Sequence, residues 1–371
     1  MALRPSKEEN EDYYYGLPSQ PVLVARSSGS EWTPKCHRGR WGFLIQKYLS
    51  NVGEHKIIDM WNAVGALRNS ILTAIRPLQW HAIDILRIGY EPSDTYPNLH
   101  LQRTVTVFVT VEPGTATWEQ AHPITMRCEE ILRRAGIFDV DCDIKEGQLL
   151  TTSRRFPYFP VIDATFMRSN ESFETIEILS DTDNIQSLSQ RLPDRVYLEE
   201  NHVRLTKEMG DIGVEAPQDL NQYASLEGMI PESELTSQRT GSQRLIVGKR
   251  GSSTGLTFGF ANEVKSVVRR PIPVFVFHRY SEEWCITGIG GEFANQEDSG
   301  AFVWEAYASS DEKRRIGGKI TSGVGSTENG ECLTTYATPL DRLLKDTRDS
   351  SFKASLMGHI NRMMGSVCGA R

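Results

Sequence analysis

Asp298-Ser299-Gly300 is the stretch of this 371-residue chain whose residue types can do covalent chemistry. It follows the polar run Gly290-Gly291-Glu292-Phe293-Ala294-Asn295-Gln296-Glu297 and leads into the apolar Ala301-Phe302-Val303-Trp304. A serine on a tight turn that feeds a strand presents its Oγ and the neighbouring backbone N–H groups to one carbonyl, as acyl transfer requires. Asp, Ser and Gly are also ordinary turn formers, so by itself the tripeptide reads first as a β-turn.

The elements around it raise its standing. Arg244 to Gly259 reads as a strand, a Gly-rich turn and a second strand. A basic pair, Arg269-Arg270, precedes the buried-strand pattern Ile272-Pro273-Val274-Phe275-Val276-Phe277, and Glu282 to Thr287 leads into the serine turn. Downstream, Arg315 to Gly323 reads as a strand, and Cys332 to Leu344 as a strand entering a helix. This succession resembles the second β-barrel of chymotrypsin-fold serine proteases, most closely the trypsin-like proteins of fungi. In those, a K-x-G-x-x-T-G-x-T-x-G segment, matched here from Lys249 to Gly259, precedes F-x-x-x-G-D-S-G-S, and the likeness covers about residues 240 to 345. The resemblance implies an antiparallel β-barrel module of chymotrypsin type, preceded by a degenerate first barrel, with Ser299 in the nucleophile position.

A serine hydrolase of this kind needs a histidine to take the serine proton and a buried carboxylate to orient it. Gly210-Asp211-Ile212-Gly213-Val214 is similar to the strand start that carries the carboxylate in trypsin-like enzymes, which makes Asp211 the carboxylate candidate. Its distance from Ser299 along the chain is close to the roughly 90 residues of the template. The histidine is missing from the expected place: no His occurs between His122 and His202, and Ala164-Thr165-Phe166 stands where the family carries its His. His202 is the remaining candidate, only nine residues before Asp211. The family's Gly-Asp-Ser-Gly is also altered to Glu297-Asp298-Ser299-Gly300, which replaces an oxyanion-hole glycine by an acidic residue. A serine without a base keeps its proton and is a poor nucleophile.

The remaining sequence is expected to form an α+β domain. Trp80 to Tyr90 partly alternates, and Thr104-Val105-Thr106-Val107-Phe108-Val109-Thr110-Val111 is nearly all β-branched, as in a buried central strand. Thr117 can cap a helix that Gly136 ends, and Ile137 to Ile144 alternates as a further strand, giving a β-α-β unit. Helical spacing from Trp41 to about Ile75 predicts two helices parted by Asn51-Val52-Gly53. Asp139, Asp141 and Asp143 share a strand face that reads as a solvated polar face, or as a weaker cation-site candidate. Residues 1–35 read as a flexible arm, with Tyr13-Tyr14-Tyr15 laid on a neighbouring surface. The domain partition is then a flexible arm (1–35), an α+β domain (36–150), a degenerate first barrel (151–240), a second barrel with the serine turn (241–347) and a C-terminal tail or short helix (348–371).

Composition excludes several classes. Hydrophobic residues make up 39 % and charged residues 24 %, with a net charge of −7, which argues against a general nucleic-acid or anionic-membrane binder. The six cysteines show no C-x-x-C or Cys/His clustering and are expected as free thiols, with no metal and no cofactor. Gly248 to Gly255 has the glycines and cation of an anion-binding loop, though a hairpin turn accounts for the same residues. Glu112 to Thr117 before a helix lacks the Gly-Lys-Ser/Thr ending of a phosphate loop. The expected protein is a catalytically impaired serine protease homologue acting as an intracellular binding or regulatory protein, cytoplasmic or nuclear, whose partner is a polypeptide. The alternatives are an active endopeptidase using Ser299, Asp211 and a histidine such as His202, and an accessory protein acting through its α+β domain. Oligomeric state is left open.

Overall fold

The β-branched run from Thr104 to Val111 builds the central strand of a twisted sheet. The computed structural model describes residues 4–38, 42–63, 65–151, 225–237, 244–271, 278–306, 313–326 and 330–346. In it β3 (Trp80–Tyr90) pairs antiparallel with β4 (Thr104–Val111), and β4 pairs parallel with β5 (Val140–Glu146). The crossover between the parallel strands is α4 (Trp118–Arg134). Its start is fixed by Gln120, whose side chain accepts the Thr117 N–H at 3.1 Å, and its end by Gly136 at φ +76°. β1 (Leu23–Arg26) adds antiparallel to β5, β2 (Lys47–Ser50) pairs with the end of β3, and β10 (Ser266–Pro271) continues the sheet beyond β3.

Both faces of this sheet are covered. On one, α2 (Ile57–Asn62), α3 (Ala66–Ile75) and α4 bury Trp61, Ile71, Ile75 and Leu132 against Val107 and Val109. On the other, Tyr14, Leu17 and Leu23 join Leu86 and Phe108 with Val324, Leu333 and Tyr336 from the C-terminal half. Double coverage explains why β4 reads as an almost unbroken apolar run.

Three expectations are corrected here. The segment read as a flexible arm forms α1 (Lys7–Asp12) and β1, and Tyr14, Leu17 and Leu23 are buried in the core. Its Pro, Ser and Gly residues shape turns between anchors rather than a solvated linker. The first of the two predicted helices is absent, since Lys47–Ser50 is strand β2; its spacing gave way to pairing with β3. The aspartates of β5 do not share a solvated face: Asp143 is buried and accepts a hydrogen bond from Tyr14 Oη at 3.0 Å, because the N-terminal segment packs over it. No group of residues able to hold a metal ion occurs among the described residues.

The C-terminal half closes a barrel. β8 (Ile246–Arg250), β9 (Leu256–Ala261), β11 (His278–Gly288), β14 (Cys332–Pro339), β13 (Lys313–Gly325) and β12 (Phe302–Glu305) pair in a ring, every neighbour antiparallel. Closure leaves this six-stranded sheet without free edges. Extra strands β6 (Gln148–Thr151) and β7 (Ser225–Met229) attach to β13, and the short helices α5 (Glu232–Leu235) and α6 (Leu340–Asp346) flank it. The interior packs Val247, Trp284, Ile286, Phe293, Val303 and Ile320. No helix among the described residues is long and apolar enough to cross a membrane. Phe166, His202, Asp211, the strands expected from Glu171 to Leu179 and from Arg195 to Leu198, and the tail from 348 lie outside the described residues.

Sheet and barrel are joined by buried polar contacts. The Asp84 carboxylate accepts hydrogen bonds from Ser266 Oγ at 2.5 Å and from Tyr336 Oη at 2.9 Å. Asn262 receives the Val52 N–H at 3.0 Å and donates to Ile85 O at 2.8 Å. Glu263 accepts from the Asn51 amide at 2.7 Å and from the Gly53 N–H at 3.1 Å. Groups buried this deeply are tolerable only because they are paired.

Candidate functional site around Ser299

Ser299 is placed by what lies on either side of it. After β11 the chain turns through Gly290 and Gly291, both at positive φ, then drops Phe293 and Ala294 into the barrel core. Residues Gln296–Asp298 form one 3-10 turn, with the Asp298 N–H donated to Asn295 O at 3.0 Å. Ser299 is extended (φ −63°, ψ 149°) and half-buried. Gly300, at φ +89°, reverses the chain and donates its N–H to Ile320 O at 2.8 Å, which delivers Phe302 into β12.

The residue before the serine is the most firmly held group of the site. The Asp298 carboxylate accepts from Lys249 Nζ at 2.8 Å, Ser253 N at 2.7 Å, Thr254 N at 3.2 Å, Thr254 Oγ1 at 2.6 Å and Asn295 N at 3.0 Å. Lys249 Nζ also donates to Thr254 Oγ1, and Ser252 Oγ donates to Glu297 O at 2.8 Å. The β8–β9 turn therefore does bind an anion, as its glycines and lysine suggest, but the anion is the chain's own Asp298. Gly251 is required by close approach: a Cβ there would run into the Asp298 carboxylate.

Charge at the site follows from burial and pairing. Burial alone would raise the Asp298 carboxyl, yet Lys249 and the Asn295 amide outweigh it and hold the group below its ordinary value. Burial lowers the Lys249 ammonium against the pull of Asp298. Cys332, a thiol on which Asp298 and Lys249 both act, is pushed up to about 12 by burial and then by Glu292, so it carries no thiolate chemistry at neutral pH. Glu292 is raised by burial. The five described cysteines are all free thiols.

The expected triad is described only at Ser299, since His202 and Asp211 lie outside the described residues. Four described imidazoles have partners in the sheet half. His55 bonds Asp139 at 3.2 Å, His81 lies 4.0 Å from Glu112, His37 faces Ser93 at 3.5 Å, and His122 stacks on Trp118. Glu297, the residue expected to stand in place of a glycine, is exposed. Sequence reasoning missed the roles of Lys249 and Asp298. The available signal was a lone lysine entering a Gly-Ser-Ser-Thr-Gly turn, which a neighbouring carboxylate can satisfy.

No protein-family model matches this chain, and no curated protein is significantly similar to it.

Proposed function

We propose that this chain is a chymotrypsin-type barrel protein related to trypsin-like serine proteases, impaired in catalysis and working as a binding or regulatory protein for polypeptides. The observation that carries the reading is the state of the serine turn. The amides on both sides of Ser299, those of Asp298 and Gly300, are donated to Asn295 and Ile320 carbonyls, and the Asp298 carboxylate is locked into the β8–β9 turn. The loop is thus organised from within, as a piece of barrel architecture.

Two further facts support it. Glu297, exposed two residues before Ser299, would bring a negative charge close to a developing oxyanion and so raise the barrier to acyl transfer. The imidazoles of His37, His55, His81 and His122 are engaged by partners in the sheet half, which supports the reading that none of these four serves as a general base. The six-stranded antiparallel ring, with the serine turn entering one of its strands, supports the chymotrypsin-type assignment.

Turnover decides it. Full-length protein incubated with a panel of peptide thioesters bearing Arg, Lys, Phe or Ala before the scissile bond is expected to match buffer alone. Hydrolysis that disappears in Ser299→Ala would establish the active endopeptidase instead.

A further inference from the structure

Lys47 opens β2 almost closed off from water, and the faces of two tyrosine rings receive its ammonium. Its backbone N–H is donated to Tyr15 O at 2.8 Å and it pairs with Tyr90 across β2 and β3, so the N-terminal segment and the sheet clasp it together. Nζ lies 3.6 Å from the centre of the Tyr13 ring and 5.1 Å from that of Tyr90. Tyr13 is itself set edge-on to the buried Tyr14, with 4.8 Å between ring centres. Only 8 % of Lys47 is exposed, and among the described residues its Nζ makes neither a hydrogen bond nor an ion pair.

The same side chain lines a small cavity, together with Asp12, Tyr15, Trp32, Lys35 and Tyr90. Its volume is about 10 Å³, room for one water-sized group. Lys35 is engaged elsewhere, donating Nζ to Thr33 Oγ1 at 2.9 Å. Burial, with Arg26 adding to it, lowers the Lys47 ammonium to about 8 against the pull of Asp143 and Glu9. Roughly a quarter of it is then unprotonated at pH 7.5, against about a thousandth of an ordinary lysine. A desolvated amine with no hydrogen-bond partner, reached through a cavity, is the form in which lysine attacks carbonyl carbon.

We infer that Lys47 is a covalent capture site for small aldehydes, which it takes up as an iminium. The Nζ lone pair attacks the carbonyl carbon, and a C=N bond replaces the C=O bond. One proton from the amine and one from solvent leave on the former carbonyl oxygen as water, so the nitrogen keeps one hydrogen and a positive charge. That charge stays between the Tyr13 and Tyr90 rings, which favour a cation, whereas a carbamate or an amide at Nζ would discard it. The rings therefore select a carbonyl ligand, and the cavity selects a small one. The site shares no residue with the serine turn, so its test leaves the reading of Ser299 untouched.

Full-length protein at pH 7.5 is treated with acetaldehyde and sodium cyanoborohydride, which reduces an iminium to a stable ethylamine, and the ethylated lysines are located by peptide mass mapping. Lys47 is expected to label on the order of tenfold faster than Lys7, whose side chain is 88 % exposed. Its rate should level off once the pH passes about 8, and its lead should vanish in denaturing urea. Labelling of Lys47 no faster than of Lys7 overturns the proposal, as does a lead that survives denaturation. Carbon-13 bicarbonate offered to the untreated protein is expected to give no Lys47 carbamate signal. Such a signal would assign the amine to carbon dioxide and overturn the aldehyde reading.

Discussion

Lys249 Nζ lies 2.8 Å from Asp298 Oδ2, with both side chains wholly excluded from solvent. Forty-nine residues of chain separate them, and the contact fastens the serine turn to the β8–β9 hairpin. Buried charges cost several kcal/mol each to desolvate, so the pair is tolerable only while intact.

Lys249→Met is therefore expected to destabilise the protein by about 3–5 kcal/mol, read from urea unfolding at neutral pH. Adding Asp298→Asn in the same chain should recover most of that loss. Because the folded Asp298 carboxyl is held below its ordinary value, its stabilisation is complete above that ordinary value and is lost as pH falls through the folded one. A Lys249→Met protein as stable as the parent would contradict this role.

Gly251→Ala should cost about 1–3 kcal/mol, since the new methyl collides with the Asp298 carboxylate and the Lys249 ammonium. The cost should shrink when Asp298 is itself Ala, a coupling that denaturation of the four-member mutant cycle measures. Additive effects would show that the crowding is not with Asp298.

Asp143 gives a pH dependence of the opposite sign. Burial, reinforced by Asp141, pushes its carboxyl up to about 7 against the pull of Tyr14, Lys47 and Arg26. The folded state then holds a proton that the unfolded chain releases near pH 4, so this group's contribution falls as pH rises from about 4 to about 7. Asp143→Asn keeps an acceptor for Tyr14 and should be more stable than the parent at pH 7.5, by on the order of 3 kcal/mol, with the gap closing at pH 4.5. Unfolding curves at both pH values check it, and a variant less stable at pH 7.5 would contradict it.

Tyr336 tests the seam between sheet and barrel. Tyr336→Phe removes a donor from the buried Asp84 carboxylate, whose oxygens lie 2.9 and 3.0 Å from Tyr336 Oη. The expected loss is about 1–3 kcal/mol by chemical denaturation, and an unchanged midpoint would show that Asp84 does not need this bond.

What the sequence made legible was local. Strands β3 and β4, the Thr117 and Gly136 limits of α4, and the hairpin from Ile246 to Ala261 follow from periodicity, capping and turn chemistry within a few residues. What it hid was contact across the chain. Tyr14 over Asp143 and Lys249 under Asp298 join residues 129 and 49 positions apart, and no local pattern marks a charge as buried. Lys47 to Ser50 misled for a related reason: its side chains suit either period, and pairing with β3 decided the outcome.

Under the proposed function, Ser299 belongs to a structural turn and is not an activated nucleophile. Intact-mass analysis of the full-length protein after exposure to a fluorophosphonate, with Ser299→Ala in parallel, tests it most directly. The account predicts no adduct on Ser299. A stoichiometric adduct that vanishes in Ser299→Ala would contradict it.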